Sequence, residues 1–105
     1  MLRNFNQTIV DLDERPLKLS ADDDTEVTLA TVSTMALMAA TIVQGQPQPA
    51  DGLKSLQAID ICLRIKASPE AVEVSTEEIT VIKDRIQTYF TSPIVVGMAW
   101  RMLEG

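Results

Sequence analysis

Proline residues at three places divide the second half of this chain into pieces as long as ordinary helices. The Gln44–Ala50 segment contains two prolines and a glycine, and it should end one helix and form an exposed connection, because proline cannot donate a backbone hydrogen bond. Pro69 stops the next helix, and Pro93 suits the first position of another. The chain is therefore expected to be mainly helical.

Residues that cap helices precede the apolar periodic segments. Thr28 and Asp51 can each accept backbone N–H groups at a first turn. Ser75 with Glu78 is a capping box, in which each side chain bonds the other's backbone. These signals predict helices over residues 29–43, 52–67, 76–90 and 93–103.

Apolar residues at helical spacing predict which faces are buried. In the first helix Thr31, Ser33 and Thr34 are expected to face away from the core, and the apolar positions are Leu29, Val32, Met35 or Ala36, Ala39 or Ala40, and Val43. In the second helix the predicted stripe is Leu53, Leu56, Ile59 or Asp60, and Leu63, joined by Cys62 and Ile65. In the third helix it is Ile79, Ile82, Ile86, Tyr89 and Phe90.

The N-terminal part has the pattern of a β-hairpin. Residues alternate from Phe5 to Val10 and again from Leu17 to Leu19, with turn residues between them and an acidic loop at Ala21–Glu26. Residues 71–74 are either a third strand or an extended link. The expected fold class is α+β, mainly α: one domain over residues 1–105, with a β-hairpin in residues 1–20 followed by a bundle of about four helices in residues 28–104.

Charge and composition exclude several classes of partner. The formal net charge is −6, and without a run of Lys or Arg the chain should repel nucleic acid and anionic membranes. The longest apolar stretch is shorter than the roughly 20 residues that span a bilayer. With no apolar leader and one cysteine, the expected location is the cytoplasm.

The residues that usually carry catalysis or bind metal are scarce. The chain has no histidine, and its single thiol, Cys62, lies in an apolar pattern typical of a core. Asp11 and Asp13 have the spacing of the aspartate loop of haloacid dehalogenase-type phosphatases, but Arg15 stands where that loop needs Thr or Val. We therefore expect no catalytic residues, no metal site and no cofactor, and a metal-dependent enzyme is the least favoured hypothesis.

Two segments are predicted to bind a protein partner or a second copy of the chain. The C-terminal helix has more apolar surface than one face can bury, and its candidate partner-binding residues are Val95, Met98, Trp100, Met102 and Leu103. The second segment is acidic, and its candidates are Asp11, Asp13, Asp22, Asp23 and Asp24.

The order of these patterns resembles small proteins of uncharacterised function encoded by tailed bacteriophages and prophages. The resemblance lies in the Asp-rich turn and Pro-Leu-Lys of Asp11–Lys18, the helices at 29–40 and 56–65, the Glu-rich start at 74–79, Ile82-Lys83, and the end at 92–103. This chain departs from the pattern at 44–49 and 22–24.

The resemblance implies a viral origin, in the cytoplasm of a bacterial host or in the virion. The leading hypothesis is a non-catalytic protein–protein interaction module, an oligomeric adaptor in assembly of the phage particle or tail. The alternative is an acidic host-directed inhibitor that binds a basic surface of a host enzyme or defence complex.

Overall fold

The computed structural model describes residues 1–20, 23–40 and 42–104. Its fold is α+β and mainly α, as predicted, with a short antiparallel strand pair near the N-terminus and four helices in the described part. The elements in chain order are β1 (Leu2–Arg3), β2 (Lys18–Ser20), β3 (Asp23–Glu26), α1 (Leu29–Met38), β4 (Ile42–Val43), β5 (Gln46–Pro47), α2 (Gly52–Ala67), β6 (Val72–Glu73), α3 (Thr76–Tyr89) and α4 (Pro93–Glu104).

The predicted caps begin the helices. The side chains of Thr28 and Asp51 accept the backbone N–H three residues further on, at 3.2 and 3.0 Å. Both bonds of the Ser75 capping box form, because the Ser75 hydroxyl accepts from the Glu78 N–H and the Glu78 carboxylate accepts from the Ser75 N–H, at 3.1 and 2.9 Å. Pro93 is the first residue of α4. Helix starts are thus decided locally.

Helix α1 ends at Met38, five residues before the predicted end. The Arg85 guanidinium, from α3, donates to the carbonyls of Ala36 and Ala39 at 3.2 and 2.6 Å. These carbonyls lie at the helix end, where the only backbone bond that either receives from the described residues is the 3.4 Å one from the Ala39 N–H to the Ala36 carbonyl. A side chain from a distant part of the sequence therefore satisfies the end of α1.

The residues after α1 form a hairpin where helix was predicted. Strand β4 pairs antiparallel with β5, and both turn residues, Gln44 and Gly45, have left-handed backbones with φ of 52° and 77°. Two consecutive left-handed residues match the twist of a two-residue hairpin. The predicted exposed connection is present, since residues 44–50 are all exposed, but it contains this strand pair.

The second predicted strand of the N-terminal hairpin is present as β2, but its partner differs from the predicted one. Strand β2 pairs with β3, so the segment predicted as an acidic loop supplies a strand. Residues 5–10 are not a regular strand, although they make isolated bridges from Thr8 to Thr28 and from Val10 to Pro16. Their pairing is divided between two segments, because Ile9 donates to the Val27 carbonyl and accepts from the N–H of Leu17.

Residues 5–10 also hold the start of α1. The carbonyls of Gln7 and Phe5 accept from the N–H groups of Leu29 and Ala30, at 2.9 and 2.8 Å. Those donors belong to a first helical turn and lack partners within the helix. Phe5 and Ile9 are fully buried, so this segment is both a cap and part of the core.

The core lies between α1, α2, α3 and α4, with residues 5–10 and β6 at its edge. Strand β6 pairs antiparallel with β1, which decides that residues 71–74 contain a strand. Ser33 is also buried and its hydroxyl has no hydrogen-bond partner, so the prediction that it faces away from the core is wrong. The buried apolar residues are Phe5, Ile9, Val27, Leu29, Val32, Ala36, Leu37, Ala58, Ile61, Ile65, Val72, Val74, Ile79, Ile82, Ile86, Ala99 and Leu103.

Candidate binding surfaces

Helix α2 packs through a different face from the one predicted. Its buried residues are Ala58, Ile61 and Ile65, spaced three and four positions apart, and α2 packs on α1. Ile65 was expected in the core, but Ala58 and Ile61 lie outside the predicted stripe. Cys62 is half-buried beside them.

The leucines of the predicted stripe face solvent, so their assignment to the core is wrong. We define the α2 stripe as Leu53, Leu56, Ile59 and Leu63, which are 83, 65, 46 and 60 % exposed. They recur at spacings of three and four, so they share one side of the helix over about 15 Å. A contiguous apolar row of this kind on a surface typically marks a binding site.

Both sides of α2 are apolar, and this explains why periodicity failed there. A helix with one apolar face shows which side packs, whereas α2 offers Leu53 and Leu56 on one side and Ile61 and Ile65 on the other. The core buries the isoleucines. The leucines, which dominate the sequence signal, are left on the surface.

The α2 stripe lies on a positively charged part of an acidic protein. Helix α2 carries Lys54, Arg64 and Lys66 against a single carboxylate, Asp60, and so has a net charge of +2. Lys54 and Lys66 are exposed, and Arg64 is bound to Asp60 at 2.9 Å. Lys66, three positions after Leu63, adjoins the stripe, whereas Lys54 lies in the row of Ala58 and Ile61 on the other side of the helix. The lysine beside the stripe favours an acidic partner.

Arg64 also fixes α2 to α3. Its guanidinium donates to both oxygens of Glu78 and, at 2.7 Å, to the backbone carbonyl of Glu73. The hydrogen bonds from Arg64 hold the pKa of Glu78 at about 2, well below its usual value. The α2 stripe therefore stands on a helix whose position is fixed by charged hydrogen bonds.

The acidic turn near the N-terminus uses one of its carboxylates internally. Asp11 accepts the backbone N–H groups of Asp13 and Arg15 on a single oxygen, at 2.8 and 2.9 Å. This is the ordinary turn chemistry of aspartate. Asp13 and Glu14 are exposed, and between the two aspartates Leu12 is 86 % exposed.

Of the remaining predicted acidic residues, Asp23 and Asp24 belong to β3. Asp22 lies outside the described residues. Asp23 and Asp24 have described backbones within β3, and nothing is described of their side chains. The assignment of these three aspartates to a partner-binding surface therefore stays a prediction from the sequence.

The two predicted surfaces meet at one groove. An open groove of about 800 Å³ lies between the acidic turn and α4, and Asp11 and Leu12 line it together with Met98, Arg101 and Met102. Arg3 attaches the N-terminal segment to the C-terminal end of α4, because its Nε donates to the Leu103 carbonyl at 2.9 Å. Sequence spacing gave no indication that Asp11 and Met98 would be neighbours.

The residues predicted on α4 are mostly used in packing. Leu103 is fully buried, so its assignment to a partner surface is wrong. Val95, Met98 and Met102 are half-buried against the core. The remaining candidate on α4, Trp100, is also half-buried.

Trp100 is attached to α3. Its Nε1 donates to the Lys83 carbonyl at 3.2 Å, and the Lys83 ammonium lies 5.3 Å from the centre of the indole ring. Such a cation over an aromatic face is attractive. Trp100 thus stabilises the α3–α4 contact, and the exposed part of its ring is what remains for a partner.

A second apolar groove lies outside the two segments that were predicted to bind a partner. Met35, Met38, Ile42 and Tyr89 line an open groove of about 580 Å³ between the end of α1 and the end of α3. Tyr89 was expected on the buried face of α3 but is exposed, with its ring edge-on to Phe90. Helical periodicity cannot find this groove, because β4 contributes one side of it.

The described residues contain no group of three or more His, Cys, Asp or Glu side chains placed to hold a metal ion. Burial raises the pKa of the Cys62 thiol, and this disfavours its reactive thiolate. Within the same described ranges, no helix is both long and apolar enough to cross a bilayer.

Comparisons of the chain with family profiles, with curated proteins and with solved structures found no match. The function is therefore inferred from the surfaces of the protein and from its sequence patterns.

Proposed function

We propose that this protein is a non-catalytic protein–protein interaction module, an oligomeric adaptor that binds through the α2 stripe. The observation that carries the proposal is the exposure of Leu53, Leu56 and Leu63 on a helix whose opposite side is buried in the core. An apolar row this exposed is costly to leave in water, and a partner that covers it gains the free energy of removing that surface from solvent.

The surroundings of the stripe support a protein partner. Exposed Lys66 lies beside the apolar row, three positions after Leu63, and an apolar centre with a charged rim is the usual anatomy of a protein interface. Arg64 fixes the helix, so binding would require little ordering of the backbone. A setting in phage particle or tail assembly is supported by the order of sequence patterns described above.

Site-specific photo-crosslinking in cells that make the protein tests this proposal. A photoreactive amino acid replaces Leu56 in the α2 stripe, and a matched control replaces Gln87, which is exposed on α3. Neither position is buried, so both variants should fold with the thermal midpoint of the unmodified chain. We expect a discrete covalent adduct with a polypeptide from position 56 and none from position 87.

Two results would contradict the proposal. One is the absence of any adduct specific to position 56. The other is an adduct formed only by a photoreactive residue at Asp13, since it would place the binding surface on the acidic turn, as the host-directed inhibitor requires.

A further inference from the structure

Leu12 is the most exposed large apolar residue of the described part, and it lies in a strongly acidic segment. Asp11, Asp13 and Glu14 surround it in sequence, and all three are outside the core. The turn is preorganised, because Asp11 accepts two of its backbone N–H groups. The chain thus presents one leucine on a fixed acidic turn.

The segment with this turn and the α2 helix carry opposite charges. Residues 11–26 contain seven acidic and two basic residues, a net charge of −5, whereas α2 has a net charge of +2. Neither surface is covered by its own chain, since Leu12 and Leu53 are each more than four-fifths exposed. The two segments therefore have opposite charges, and each has an exposed leucine that the other could cover.

We propose that the occupant of the α2 stripe is the turn at residues 11–14 of a second copy of this chain. The inference rests on the proposed function, because it names the partner of the same surface. Leu12 would contact the stripe beside Leu63, and Asp13 and Glu14 would face Lys66 of the other copy. Opposite charges favour this pairing, whereas two α2 stripes packed together would bring like charges into contact.

This arrangement is head-to-tail, and it has a consequence for assembly. After a single contact the pair keeps an unused stripe on one copy and an unused turn on the other, so association continues until a ring closes or a filament forms. The interface has one central apolar anchor and is small. Association is therefore expected to be weak for a single contact and to be measured at concentrations up to about 1 mM.

Mixing two variants tests the proposal. Leu12→Gln removes the anchor and keeps the stripe, whereas Leu56→Gln disrupts the stripe and keeps the turn. By sedimentation, the unmodified chain should form species larger than a dimer, and each variant alone should stay monomeric. An equimolar mixture should form a heterodimer and stop there, because only one functional turn and one functional stripe can meet.

Controls separate this result from general stickiness or unfolding. Met38→Gln removes an exposed apolar side chain outside both surfaces and should associate like the unmodified chain. All variants should keep the thermal midpoint of the unmodified chain. Raising the salt from about 0.1 to 1 M should weaken association several-fold, because exposed charge pairs are screened.

Three results would overturn the inference. The first is self-association of Leu12→Gln, which would indicate symmetric pairing of stripes. The second is a mixture in which the two variants fail to combine, and the third is an unmodified chain that stays monomeric. The last removes the oligomeric part of the proposed function but leaves the binding role of the α2 stripe intact if position 56 still crosslinks to another protein. The proposed function fails separately, if position 56 gives no adduct at all.

Discussion

The Arg64 guanidinium on α2 and the Glu78 carboxylate on α3 join through both carboxylate oxygens, and the same carboxylate closes the capping box of α3 with Ser75. One side chain therefore starts α3 and fixes α2 to it. Only about a sixth of the Glu78 side chain is exposed, so solvent screens the pair less than an ordinary surface ion pair.

Acid should weaken this junction in a defined pH window. The folded protein lowers the pKa of Glu78 from 4.5 to about 2, so its contribution to the free energy of unfolding is complete above pH 4.5 and is lost as the pH falls towards 2. Glu78→Gln should therefore be less stable than the unmodified chain at pH 7, and the difference should shrink between pH 5 and pH 2. Urea unfolding across this range measures it.

Glu104→Gln is the matched control for the acid prediction, since Glu104 pairs with Lys83 but is mostly exposed. It should change the free energy of unfolding by at most about 1 kcal/mol at any of these pH values. A stability difference for Glu78→Gln that is the same at pH 7 and pH 2 would be inconsistent with the role assigned to this carboxylate.

Substitutions on the two sides of α2 should change the free energy of unfolding by very different amounts. Ile61→Ala removes fully buried atoms and should lower the free energy of unfolding by about 2–5 kcal/mol. Leu56→Gln changes an exposed side chain and should alter it by no more than about 0.5 kcal/mol. Chemical denaturation at low micromolar concentration, below self-association, compares them, and a larger loss for Leu56→Gln would mean that the α2 stripe packs in the core.

The end of α1 should depend on Arg85. Arg85→Met keeps much of the apolar stem but removes the donors to the Ala36 and Ala39 carbonyls, which should cost about 1–3 kcal/mol. Hydrogen exchange should show faster exchange of the amides in the last turn of α1, with those in the middle of α2 as the internal control. Unchanged exchange in that turn would show that Arg85 does not hold it.

Replacing glycine with alanine should have opposite effects on stability at two positions. A Cβ added at Gly97 meets no atom within 4 Å, so Gly97→Ala should stabilise α4 by about 0.5–1 kcal/mol. Gly45 has a φ of 77°, where alanine is strained, so Gly45→Ala should destabilise the β4–β5 hairpin by about 1–2 kcal/mol. Thermal unfolding measures both, and a lower midpoint for Gly97→Ala would indicate that α4 is more crowded than the structure describes.

Local signals were sufficient to place the helix starts. A cap involves a side chain and a backbone N–H three residues away, so Thr28, Asp51 and the pair of Ser75 and Glu78 could be read directly from the sequence. The buried face of α3 was also predicted correctly at Ile79, Ile82 and Ile86, because that helix has a single apolar side there.

Most of the candidate binding surfaces could not be predicted from local sequence signals. Periodicity shows that an apolar residue repeats, but it cannot say which of two apolar sides of α2 a distant helix will cover. The groove that joins Asp11 to Met98 depends on residues 87 positions apart, and no local pattern encodes that separation.

The sequence by itself therefore determined the fold class, the caps and the acidic balance, all of which depend on neighbouring residues or on composition. The tertiary structure decided that α1 ends at Met38, where Arg85 reaches its carbonyls, and that α2 buries Ile61 and exposes Leu56. The physical reason is that packing is a competition among all available apolar surfaces of the chain, and it is settled by shape and volume when the elements meet.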